Sequence, residues 1–189
     1  LPQDRLYTLV PRGEKGLAPR VIGCLTEVLA GPGATADILA HLAAPATRIV
    51  GLTVTEKGYC HDPATGRLDR THPDIVHDLV HLDAPRSAIG VVVAALARRH
   101  AAGVRPLTVL SCDNLHANGR LVAGLVGELA AARSDALARW IGREVAFPST
   151  MVDRIVPATT PDDIETAATL TGLVDAAPVL HEPFTQWVI

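Results

Sequence analysis

The chain has 189 residues, enough for one domain with a sizeable core, or one domain with an appendage. A hydrophobic share of 48% excludes a disordered chain, and a net charge of −3 spread along the sequence leaves no basic stripe for nucleic acid and no polybasic helix for a membrane surface. No apolar run approaches the roughly 18 residues of a spanning helix. Cys24, Cys60 and Cys112 are few and never in C-x-x-C spacing, so free thiols in a reducing cytoplasm fit better than a disulfide framework or a zinc site.

Leu6 to Val10 is a short strand candidate, broken by Pro11, Gly13 and Gly16. Arg20 to Leu29 alternates like a second strand, so residues 1–30 are expected to hold a β-hairpin. Gly31-Pro32-Gly33 punctuates the chain, and Thr35 is a candidate cap for a helix running to about Ala44, which Pro45 ends. Arg48 to Thr55 reads as a strand buried on both faces. Cys60 to Pro85, rich in His, Asp and Pro, is expected to leave the sheet as an excursion with one short helix near Asp74 to Leu82.

Asp83 or Arg86 opens a helix with Ile89, Val92, Val93 and Leu96 at i, i+3, i+4, i+7, cations near its carbonyl end and Gly103 as its stop. Leu107 to Leu110 is a run of apolar or β-branched residues followed by Ser111, Cys112, Asp113 and Asn114. It reads as a central strand of a parallel sheet, and ligands in such sheets bind beyond the carboxyl ends of strands. Asn114 therefore falls where chemistry is expected, with a neutral amide able to donate to a carbonyl or alkoxide oxygen. The other reading is that it turns the chain or caps the next helix.

That helix starts at Asn118 or Gly119, with Leu121, Leu125 and Leu129 on its inner face, and Asp135 caps a shorter one. Glu144 to Phe147 is a third short strand candidate closed by Pro148. Met151 to Arg154 reads as a loop or helix start, Pro161 opens a helix at its first turn, and Val179-Leu180 is a last strand candidate. The order strand, helix, strand, helix, strand from Arg48 to Phe147 predicts an α/β fold: a doubly wound, mostly parallel sheet with right-handed crossovers.

Four motifs then carry a resemblance: T-V-T-E-K-G-Y from Thr53, L-S-C-D-N-L with Asn118-Gly119 from Leu110, F-P-S-T-M-V-D-R-I from Phe147, and E-P-F-T-Q-W-V-I from Glu182. In this order they resemble the mannitol dehydrogenase family, the polyol-specific long-chain dehydrogenases and reductases, over nearly the whole chain. The resemblance implies a Rossmann-like, NAD-binding domain over residues 1–189, followed in the family by a helical substrate domain with the active site in the cleft between them. It implies metal-independent hydride transfer between nicotinamide and a secondary alcohol or ketone of an acyclic polyol or sugar acid. Mannitol and fructose are the expected pair, fructuronate or tagaturonate the alternative.

Two parts of the family pattern fall outside this sequence as read. The first strand with its Gly-rich phosphate turn is expected before Leu1, and the catalytic lysine beyond Ile189; Lys15 and Lys57 stand in neither motif. The chain alone is expected to be inactive, at most a dinucleotide-binding fragment, and prone to self-association through uncovered apolar faces.

By the same resemblance Asn114 is an oxyanion donor that also contacts substrate, and Glu56 gates the path of the departing proton, the alternative being an ion pair with Lys57 or an arginine. Asp153 contacts sugar hydroxyls or orders Arg154, the alternative being helix capping. Thr53, Val54 and Thr55 contact cofactor. His77 and His81, at i, i+4, could hold zinc on a helix, but no third ligand is placed by spacing and no metal is expected. Cys112 has no suitably spaced base and is read as a buried thiol.

Overall fold

A computed structural model describes residues 3–13 and 18–189; Gly16, expected to help break the first strand, lies outside the described residues. In chain order the strands are β1 (Tyr7–Pro11), β2 (Arg20–Ile22), β3 (Ile49–Leu52), β4 (His61–Asp62), β5 (Arg67–Leu68), β6 (Thr108–Ser111), β7 (Met151–Asp153), β8 (Val179–His181) and β9 (Gln186–Val188). The helices are α1 (Thr35–Ala43), α2 (Thr55–Gly58), α3 (Pro73–Val80), α4 (Ala88–Ala101), α5 (Asn118–Arg133), α6 (Asp135–Glu144) and α7 (Pro161–Thr171). They fall into two compact units, Leu1–Leu29 with Val152–Trp187, and Ala30–Met151 with Val188–Ile189.

The first unit is built on the sheet β2-β1-β8. β1 and β2 pair antiparallel, with Thr8 opposite Val21, and β1 runs parallel to β8, with Val10 opposite Leu180. Only Arg20 to Ile22 of the expected second strand is strand; residues 23–29 are irregular and mostly exposed. Val10, Leu180 and Ala167 of α7 form a small core. α7 opens on a capping box, the Thr160 hydroxyl accepting from the Asp163 N–H while the Asp163 carboxylate accepts from the Thr160 N–H, with Pro161 in the first turn. It ends at Gly172, whose φ of 70° is the left-handed stop that glycine supplies without strain.

The second unit holds the expected parallel ladder: β3 lies beside β6 in register, from Ile49 opposite Thr108 to Leu52 opposite Ser111. β6 is buried as expected. β3 is not buried on both faces, with Ile49 62% exposed and Gly51 exposed, because β6 is its sole strand neighbour among the described residues. The expected strand at Glu144 to Phe147 does not form. Ala146 O accepts from Val109 N at 3.0 Å, but α6 runs to Glu144 and Pro148 has no N–H with which to extend a ladder. The excursion from Cys60 contains the β4–β5 hairpin and α3, and β7 is a strand where a loop or helix start is expected.

Caps differ from where the sequence suggests. Thr35 is the first residue of α1 after a 3-10 turn over Pro32–Ala34 and makes no side-chain cap, while Ser87, rather than Asp83 or Arg86, caps α4 and Ser134, rather than Asp135, caps α6. The fully buried Asp78 explains the first of these serines: its carboxylate accepts from Arg86 N, Ser87 N and the Ser87 hydroxyl at 2.7–3.0 Å. Gly90 makes room for it, since a Cβ there would meet Asp78 Oδ2 at 2.0 Å.

At the far end of α4, Arg99 is fully buried and donates to the carbonyls of Leu42 and Ala44 (both 2.7 Å), Arg105 (2.8 Å) and Thr47 (3.1 Å). It thereby satisfies carbonyls that α1 leaves open at its C-terminus. The core of the unit collects Leu39 of α1, Val92, Val93 and Leu96 of α4, Val109 of β6, and Leu125 and Leu129 of α5.

Candidate functional site

The register of β3 and β6 brings their carboxyl ends together, and Cys112 N continues the ladder by donating to Leu52 O at 2.8 Å. Thr53 to Glu56 thus emerge beside Cys112 to Asn114. Asp113 fastens the two turns. Its carboxylate accepts from Val54 N (2.9 Å), Thr55 N (3.0 Å) and the Tyr59 hydroxyl (2.7 Å). The Tyr59 oxygen is also 2.7 Å from Ser111 Oγ, and its ring is fully buried. Burial, and then the Asp113 carboxylate, push the Tyr59 phenol far above its ordinary range, so Tyr59 acts here as a fixed donor and not as a proton source.

Asn118 closes the other side. Its Nδ2 donates to Asp113 O and Thr150 O, both at 2.9 Å, and its Oδ1 accepts from Thr150 N at 3.0 Å. The Thr150 hydroxyl donates to Ser111 O at 2.6 Å. Gly119 permits this approach: a Cβ there would stand 2.4–2.6 Å from the backbone of Phe147 and Pro148. The segment after Pro148 is therefore held against the end of β6 by the amide of Asn118 and the Thr150 hydroxyl, not by strand pairing.

Between these braces Asn114 is exposed, and its side chain has no hydrogen bond among the described residues. It does not cap α5, whose N-cap is Ala117 with a φ of 50° and no side-chain bond, which excludes capping, whereas Asn114 does lie in the bend that turns the chain after β6. Glu56 lies exposed on α2, with no ion pair among the described residues, against the alternative of pairing with Lys57 or an arginine. Thr53 and Thr55 are exposed and Val54 half-buried. Thr55 holds a φ of 62°, a left-handed conformation costly for a β-branched residue, which Asp113 stabilises through the Thr55 N–H. Cys112 is half-buried and free.

Asp153 belongs to the other unit. It lies exposed in β7, which excludes the helix-cap alternative. Nor does it order its neighbour: Arg154 donates to Phe184 O (3.3 Å) and to the Thr185 hydroxyl. The structure thus brings Asn114, Thr53, Val54, Thr55 and Glu56 together within the second unit. Asp113, Tyr59 and Asn118 were not expected as parts of the site. One signal was available for Tyr59, since a tyrosine buried behind an apolar strand must find a partner for its hydroxyl.

On α3, His77 Nδ1 lies 3.0 Å from Asp78 Oδ1 and its ring packs 5.0 Å from that of His81. An outward amide, two exposed hydroxyls and an exposed carboxylate, all at the carboxyl ends of adjacent parallel strands, can donate to and accept from the ribose and carboxamide of a nicotinamide nucleotide. The donor set fits that group.

The family model of the mannitol dehydrogenase Rossmann domain matches residues 1–189. The chain is 44% identical over 189 residues to mannitol 2-dehydrogenase of Aspergillus terreus, covering 99% of this chain and 38% of that protein. It is 46% identical over 188 residues to D-mannonate oxidoreductase of Escherichia coli, covering 99% and 39%. Among solved structures, Pseudomonas fluorescens mannitol 2-dehydrogenase, in ternary complex with NAD and D-mannitol, superposes with a TM-score of 0.94 at 40% identity, covering 98% of this chain and 38% of that one. Substrate-free D-sorbitol dehydrogenase gives a TM-score of 0.93 at 38% identity, covering 98% and 39%. The chain spans under two-fifths of the length of these relatives.

Proposed function

The chain belongs to the mannitol dehydrogenase family and has its Rossmann-domain fold, and on that premise we propose that it is the cofactor-side part of an NAD-dependent polyol dehydrogenase. The reaction is hydride transfer between nicotinamide and the secondary alcohol of an acyclic polyol, with mannitol and fructose as the favoured pair. The observation that carries this reading is Asn114, an unbonded amide exposed at the carboxyl end of β6 and locked in place by Asp113 and Asn118 on either side.

Nicotinamide supplies the hydride acceptor when bound. Thr53, Val54 and Thr55 hold the cofactor through backbone and hydroxyl groups. Asn114 donates to the substrate oxygen as it gains charge, a role worth about 3–4 kcal/mol of barrier when the donor is preorganised. Glu56, exposed on α2, passes the departing proton toward solvent, and Asp153 accepts from substrate hydroxyls. The base that takes the proton first is expected from a lysine outside residues 1–189, so this chain alone is proposed to be inactive, with weak or absent NADH binding in calorimetry.

The test uses the full-length enzyme, following NAD reduction with mannitol and NADH oxidation with fructose and with fructuronate. Turnover of mannitol and fructose supports the reading. Preference for fructuronate selects the second one, a hexuronate reductase, which the E. coli D-mannonate oxidoreductase favours at 46% identity. Activity on none of the three overturns both.

A further inference from the structure

The β4–β5 hairpin separates Cys60 from His72 and Asp74 in the chain, yet all three meet in space: a thiol sulfur, an imidazole nitrogen and a carboxylate oxygen lie within 4.8 Å of one another. We propose that Cys60, His72 and Asp74 form a binding site for a zinc-class divalent cation, with water from the adjoining cavity as its fourth ligand. The ligand set is that of a borderline-soft metal. Sulfur, nitrogen and oxygen donors in a tetrahedral arrangement suit zinc, whereas magnesium and calcium want oxygen alone.

Bond lengths of about 2.0–2.3 Å place the ligand atoms of such a site roughly 3.5 Å apart, so closing on an ion needs a movement of about 1 Å. The setting favours it. Cys60 is buried, and the one hydrogen bond of its sulfur among the described residues is weak, 3.8 Å to Gly58 O. His72 and Asp74 stand half-buried at the start of α3, so three elements of differing mobility are not required to converge. An open cavity of about 390 Å3, also lined by Lys57 and Arg86, gives the ion an entry path and a place for water. Both cations are exposed. Burial, and then the carboxylates of Asp74, Asp78 and Asp69, push the Cys60 thiol above its ordinary range, so the ion has to displace its proton on binding.

The ion ties the residue after Tyr59 to the first turn of α3. It does not enter the hydride step; it fixes the turn from which Tyr59 reaches Asp113, and with it α2 and Glu56.

The experiment uses the full-length enzyme stripped with a chelator under reducing conditions and titrated with Co2+ or Zn2+ alone. One Co2+ per chain is expected, with a thiolate-to-cobalt charge-transfer absorption that Zn2+ abolishes. Zn2+ is expected to slow alkylation of Cys60, read by mass spectrometry, at least about tenfold while Cys24 and Cys112 react as before. His72→Ala and Asp74→Asn weaken binding by about tenfold or more, and His77→Ala leaves it unchanged. Absence of the charge-transfer band, or unprotected Cys60, overturns the site. So does binding that survives His72→Ala but is lost in His77→Ala, which assigns the ion to the histidine pair of α3. Protection of Cys60 in the unsubstituted chain decides the matter if a variant does not fold.

Discussion

Asn114 and Asn118 are the same side chain in opposite circumstances, and their substitution should separate function from stability. Asn114 has no bond to lose among the described residues, so Asn114→Ala in the full-length enzyme should lower kcat by about 10²–10³ with little change in KM or in thermal midpoint. An unchanged kcat removes Asn114 from the oxyanion role. Asn118 is buried and spends both ends of its amide on Asp113 and Thr150, so Asn118→Ala leaves buried backbone groups without partners. A loss of about 2–4 kcal/mol in denaturant unfolding is expected. That contrast was half legible in the sequence. Asn114 ends a buried strand, which places it near ligand by position alone. Nothing local to Asn118 says that its partner stands 32 residues on.

Arg99 shows the same limit at the scale of elements. By sequence it is one of three cations at the carbonyl end of α4; in the structure it leaves its own helix and closes the end of α1. Arg99→Ala opens a cavity and strips several buried carbonyls, and should cost about 3 kcal/mol or more in urea unfolding. Arg99→Lys keeps the charge but not the planar fork and should recover only part. Equal stability of Arg99→Ala and the unchanged chain would mean water replaces the guanidinium. Where an element carries its own period, as in β6, α4 and α5, the sequence suffices to place it. β7 is three residues long with an exposed, unpatterned sequence, and the end of β3 is set by Asp113 rather than by its own residues, so neither boundary was readable. The excursion is intermediate: α3 is signalled by Pro73, whereas the meeting of Cys60 with His72 depends on a hairpin that no apolar period announces.

For the whole molecule, two features distinguish the units. In the second, β3 has one strand neighbour among the described residues and Ile49 is 62% exposed, so the isolated chain is expected to self-associate in light scattering, and Ile49→Lys to reduce this. A monomer at high concentration counts against it. The first unit is tied together by carboxylates. The Thr160 N–H, ahead of Arg12, holds Asp163 below the usual carboxylate range. Burial pushes Asp175 upward, but bonds from the Gln3 side chain, Ala177 N and Thr8 N outweigh it and leave Asp175 lowered. A carboxyl that binds its proton less readily folded than unfolded adds stability above its unfolded value, near 3.9, and loses it as the pH falls through its folded one. The urea midpoint should therefore fall below about pH 4, and Asp163→Asn or Asp175→Asn should flatten that fall while lowering the midpoint at neutral pH. Hydrogen exchange should show peptides spanning β1, α7 and β8 opening before those of α4 and α5, because Asp163 and Asp175 belong to the unit with the smaller core. The reverse order would mean that acid acts elsewhere, with Asp69, lowered chiefly by the Thr71 hydroxyl, the next group to test.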